Sequence, residues 1–105
     1  MSGQAYTISE IKNIVTPIAV RHGVARVYLF GSYARGDATP KSDVDLRIDE
    51  GKICGLFELA GFHVDLEETL KIKVDVMMTD GLSENFRRRI DGEEVLIYGE
   101  QAAQY

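Results

Sequence analysis

The chain has 105 residues, 45% apolar and 28% charged, the proportions of an ordinary globular protein with room for a single small domain over 1–105. Seventeen acidic against twelve basic residues leave a net charge of −5, which argues against stable nucleic-acid binding, since that affinity comes from a basic surface displacing counterions. No apolar run approaches the roughly 20 residues a bilayer span needs, and residues 1–6 lack the basic and apolar parts of a signal peptide.

The single cysteine, Cys54, permits no internal disulfide, so a reducing cytoplasmic setting is expected. It sits in an apolar stretch and reads as a small buried side chain rather than a nucleophile.

In chain order, Thr7-Ile8-Ser9-Glu10 fits a capping box. Ile8, Ile11, Ile14, Val15 and Ile18 then recur at helical spacing up to a stop at Gly23, with Pro17 expected to bend or shorten that helix. A strand over 25–30 should end abruptly at Gly31-Ser32, and residues 44–49 alternate strictly as a second strand. Residues 53–70 are expected to be helical, whole or in two pieces divided near Gly61. A third strand over 72–78, a turn at Asp80-Gly81, a short helix over 83–90 and a last strand over 95–98 follow, before a frayed tail over 100–105.

Side chains alternate between the two faces of a strand. Val44, Leu46 and Ile48 therefore share one face, with Asp43, Asp45, Arg47 and Asp49 on the other. In the third strand Ile72, Val74, Val76 and Met78 oppose Lys73, Asp75 and Met77. One sheet face can then be covered by helices, while the carboxylate face stays open to solvent or ligand.

Asp43 and Asp45, two apart on a strand, point the same way roughly 6–7 Å apart, a spacing that suits two oxygen ligands converging on Mg²⁺. Asp75 faces the same side of what can be a neighbouring strand and could complete a site for in-line displacement at phosphorus. Alone, an Asp-x-Asp pair is usually solvated surface, and Asp49-Glu50 and Glu67-Glu68 are read that way. The segment upstream changes the balance. Phe30-Gly31-Ser32-Tyr33-Ala34-Arg35-Gly36 places a glycine where backbone can approach a phosphate, with the Ser32 hydroxyl beside it and Arg35 close to one turn further on.

Gly31-Ser32, Ala34-Arg35-Gly36 and Ser42-Asp43-Val44-Asp45-Leu46 together resemble the signature of the DNA polymerase beta-like nucleotidyltransferase superfamily, and most closely its minimal nucleotidyltransferase (MNT) branch. Asp75 falls where that superfamily places its third carboxylate. The resemblance implies an α/β (α+β) fold, a mixed sheet like the polymerase beta palm with helices packed on one face. It implies that Gly31 and Ser32, with Ser42 nearby, hold a triphosphate, and that Asp43 and Asp45 bind Mg²⁺. Asp75 would bind the metal near the acceptor or take the proton of its hydroxyl, and Arg35 either contacts a phosphate or pairs with Asp37.

Larger members of the superfamily carry a further domain for the acceptor, and no such domain is visible here. The chain looks like the antitoxin of toxin–antitoxin pairs whose partners are HEPN-domain toxins. The implied reaction is transfer of AMP from ATP to a toxin tyrosine. Two alternatives stand beside it: an adenylyltransferase with a small-molecule acceptor, and an antitoxin acting by occlusion alone.

The remaining candidates are read blandly. His22 caps a helix, His63 lacks a partner at metal-binding spacing, and Arg87-Arg88-Arg89 form a solvated face. Tyr28 and Tyr33 either stack on a base or pack in the core.

Overall fold

The computed structural model describes residues 5–53 and 55–99, with the backbone alone for Ile90 and Asp91. The expectations for Cys54 and for the tail from Glu100 onward fall outside the described residues.

Helix α1 (Ile8–His22) opens with the full capping box, Thr7 Oγ1 accepting from the Glu10 amide and Glu10 Oε1 from the Thr7 amide. It closes at Gly23, whose φ of 77° is the left-handed conformation glycine adopts without strain. Pro17 does not shorten this helix, which runs past it to His22. Pro17 and Asn13 are both exposed, so the carbonyl that loses its partner faces water, and buried Ile18 and Ala19 hold the last turn down.

Strand β1 (Arg26–Phe30) leads into α2 (Ser32–Arg35), a single turn, and then to β2 (Val44–Asp49). Helix α3 (Gly55–Leu70) is continuous through Gly61 and buries Phe62, Leu66 and Leu70 at four-residue spacing. Packing of that stripe outweighs the propensity cost of one glycine. Strand β3 (Val74–Met78), a 3₁₀ turn (Thr79–Gly81), α4 (Glu84–Asp91) and β4 (Val95–Tyr98) complete the order.

The sheet runs β3-β2-β1-β4, with β2 and β3 parallel and the other pairs antiparallel. Val27, Leu29, Val44, Leu46, Ile48 and Val74 are fully buried in one cluster with Ile11 and Val15 of α1 and Phe62, Leu66 and Leu70 of α3. The apolar alternation of the strands and the stripes of the two long helices thus close on one face of the sheet.

The opposite face is less open than alternation alone implies. Phe30 is buried there and meets the Phe86 ring of α4 edge-on at 5.9 Å. Arg47, only 5% exposed, lies over the Tyr28 ring at 4.0 Å and donates to Glu94 through Nε (3.0 Å) and Nη2 (2.5 Å) and to Thr79 Oγ1 (2.7 Å). Tyr28 is therefore stacked on a guanidinium, and Tyr33 is a core residue; neither is free to stack on a base.

One member of each acidic pair read as solvated makes structural contacts. Asp49 accepts from Arg26 Nε (2.7 Å) and from Thr79 Oγ1 (2.6 Å), contacts that hold its carboxyl below the usual range against the opposing effect of burial. At the edge strand β3, Glu67 accepts from the Val74 amide (2.9 Å) and His63 hydrogen-bonds to the Val74 carbonyl (2.5 Å). Two α3 side chains so satisfy the edge groups that β2 does not pair. His22 does more than cap α1, since it and Arg21 both reach Asp65 of α3 at 2.8 Å.

Candidate active site

Strand register assembles the site. Phe30 pairs with Asp45, and Asp45 pairs with Asp75, so the end of β1 and two carboxylates lie in one row across the sheet. Asp43 immediately precedes β2 and shares the Asp45 face. Asp45 is pushed up to about 6, first by burial, then by the charge and hydrogen bond of Asp75 and the charge of Asp43, with Arg35 pulling the other way. Burial and the two neighbouring carboxylates together outweigh the opposing charge of Arg35.

Gly31 adopts φ 78° and ψ −155°, and a Cβ at this position would collide with Asp45 Oδ2. Only glycine allows the chain to leave β1 and pass directly over the carboxylate row. Ser32 begins the single turn of α2, its carbonyl accepting from Gly36 and Asp37 and its hydroxyl unbonded among the described residues. One turn carries little macrodipole, so attraction for anions at this end rests on the local amides and on Arg35. Arg35 takes up the ion-pair alternative, with Nε 3.4 Å from Asp37, and its Nη1 also lies 3.3 Å from Glu93.

Ser42 is placed differently from the other candidates. Its hydroxyl accepts from the Thr39 amide at 2.9 Å and closes the turn that delivers Asp43. No described contact joins it to Gly31, Ser32 or Arg35.

The donor set fits a hard cation. All three groups are carboxylates, and the repulsion at Asp45 is the kind that a bound divalent ion relieves. Among the described residues no three acidic, imidazole or thiol groups converge tightly enough to hold an ion unaided. Mg²⁺ commonly takes one or two carboxylates and completes its shell with substrate phosphates and water.

One residue at the site escaped sequence reasoning. Glu93 Oε1 accepts from the Gly31 amide at 3.0 Å as well as from Arg35. Leu29 pairs with Val95, and continuing that antiparallel register sets Glu93 opposite Gly31. Nothing local to Gly92-Glu93-Glu94 signals this, because it depends on β4 pairing with β1.

Residues 12–103 match the family described as Polymerase beta, Nucleotidyltransferase. A Methanocaldococcus jannaschii protein named as a candidate protein adenylyltransferase is 38% identical over 88 residues, 84% of this chain and 95% of that one. The protein adenylyltransferase MntA of Thermococcus cleftensis is 33% identical over 95 residues, 87% of this chain and 96% of its own. A solved candidate minimal nucleotidyltransferase superposes with a TM-score of 0.74 at 30% identity, over 89% of this chain and 98% of that one. The MNT antitoxin of Shewanella oneidensis, solved with its tri-AMPylated HEPN toxin, shares the fold at a TM-score of 0.70 and 16% identity, over 90% of this chain and 74% of the other. The chain belongs to the polymerase beta-like nucleotidyltransferase family, in its minimal nucleotidyltransferase branch.

Proposed function

We propose that the chain is a Mg²⁺-dependent protein adenylyltransferase that moves AMP from ATP to a hydroxyl, foremost a tyrosine hydroxyl, of a HEPN-domain toxin, and that it acts as the antitoxin of that toxin. The observation that carries this reading is the row Gly31, Asp45, Asp75, with a substrate-approachable backbone set directly over paired carboxylates. It is supported by relatives at 33–38% identity that are named for protein adenylylation and by the shared fold of an antitoxin solved with an AMPylated HEPN toxin.

In this reading the Gly31 and Ser32 amides, the Ser32 hydroxyl and Arg35 bind the triphosphate oxygens. Asp43, Asp45 and Asp75 would hold Mg²⁺ together with the substrate phosphates, and the ion would supply positive charge to neutralise them. Asp75, on the edge strand β3, receives the proton of the acceptor hydroxyl in this reading. The acceptor oxygen attacks the α-phosphorus, the bond to the bridging αβ oxygen breaks, and pyrophosphate leaves. Positioning and charge carry most of the acceleration. In this reading the acceptor is supplied by a partner.

A second reading, neutralisation by occlusion, draws on exposed apolar residues. Val20 of α1 and Leu56, Phe57 and Val64 of α3 are 53–92% exposed, the kind of surface that docks protein. Toxin neutralisation by Asp43→Ala with Asp45→Ala separates the two readings. Loss of neutralisation with the complex still formed is expected for the enzyme, and full neutralisation would assign the effect to binding alone.

A further inference from the structure

We infer that Glu93 is an internal competitor for the phosphate tail of the nucleotide, occupying the Gly31 amide and Arg35 with its own carboxylate until a phosphate displaces it. The inference rests on the nucleotidyltransferase reading of the site and names a residue that sets its affinity.

A carboxylate and a phosphate present the same thing to an amide and a guanidinium: anionic oxygens that accept charge-assisted hydrogen bonds. One oxygen of Glu93 takes both donors, the Gly31 amide at 3.0 Å and Arg35 Nη1 at 3.3 Å. These are two of the groups that would cradle a triphosphate. The site so offers its donors an acceptor from within the chain.

The neighbouring glutamates divide the work. Glu94 is held through both carboxylate oxygens by Nε and Nη2 of Arg47, with its side chain only 10% exposed, and fixes the chain at the start of β4. Glu93 is 29% exposed and is held through a single oxygen, so it can turn into solvent without disturbing the Glu94 anchor. Displacement exchanges one anion for another at the same donors. It also removes a negative charge from beside the acidic row as the polyanion arrives. On the return path the carboxylate competes with departing pyrophosphate for the same amide and favours its release.

The probes are ATP, inorganic triphosphate and adenosine, each with Mg²⁺, titrated calorimetrically into the wild-type chain, Glu93→Gln and Glu93→Ala. Competition predicts that both variants bind triphosphate and ATP about three- to tenfold tighter, the range set by one exchanged hydrogen bond. Adenosine should bind all three proteins alike, which a general loosening of the fold would not produce. Thermal melts show that each variant is folded, and Glu93→Gln keeps the size of the side chain. Triphosphate and ATP affinities unchanged or weaker in both variants, with the wild type binding ATP, overturn the inference and leave the enzyme reading intact. Failure of all three proteins to bind ATP overturns the nucleotide reading and this inference with it.

Discussion

Asp45 carries the clearest mark of a site built for function at the expense of the fold. An aspartate ordinarily titrates near 3.8, and this one is raised to about 6 by burial and by Asp75 and Asp43. The folded state therefore holds the proton more tightly than the unfolded state. The contribution of protonated Asp45 is complete below the unfolded value and disappears as pH rises through about 6, after which its charge works against the fold. Asp45→Asn is accordingly expected to raise the urea midpoint at pH 7.5 in metal-free buffer while adenylyl transfer is lost. The stabilisation should shrink as pH falls toward 4, and a pH-independent difference would contradict it. At this scale much was legible from residue type and spacing. Asp43, Asp45 and the need for glycine at 31 follow from alternation and from the Gly-Ser turn. Glu93, the Arg47–Glu94 pair and the role of Asp49 did not, because each joins segments far apart in the chain, and the role of Glu67 did not, because it depends on how α3 packs against the edge of β3.

Among the elements, boundaries followed hydrophobic period closely where a cap or a turn reinforced it. The capping box and Gly23 delimit α1, and β2 and β4 fall on 44–49 and 95–98 as the alternation indicates. Local breakers did not interrupt an element that tertiary packing held together, as at Pro17 in α1 and Gly61 in α3. Pro17 is exposed within a continuous helix, so its cost remains while its ring packs against little. Pro17→Ala restores the amide that can bond the Asn13 carbonyl and is expected to stabilise the chain by about 1–3 kcal/mol in chemical denaturation. A neutral or destabilised variant would mean that the helix end has already accommodated the ring. The order of the strands was the least legible feature, since pattern alone gives no partner for β4.

For the whole molecule, function depends on what the sheet leaves available. Two long helices close one face, while the other holds the carboxylate row at the β1 end and an arginine-centred cluster beyond it. Among the described residues no helix is long and apolar enough to cross a membrane, and the exposed apolar residues gather on α1 and α3. In the proposed function the acceptor arrives on another protein, and the exposed apolar residues of α1 and α3 lie on the elements that cover the face opposite the carboxylate row. In the proposed reaction the AMP released from ATP at Asp43, Asp45 and Asp75 ends on the partner. Intact-mass spectrometry of the chain with its cognate HEPN-domain protein, ATP and Mg²⁺ tests this most directly. The partner is expected to gain mass in whole AMP units, and Asp43→Ala with Asp45→Ala to abolish the gain. An unmodified partner in a stable complex, with ATP bound, would contradict it.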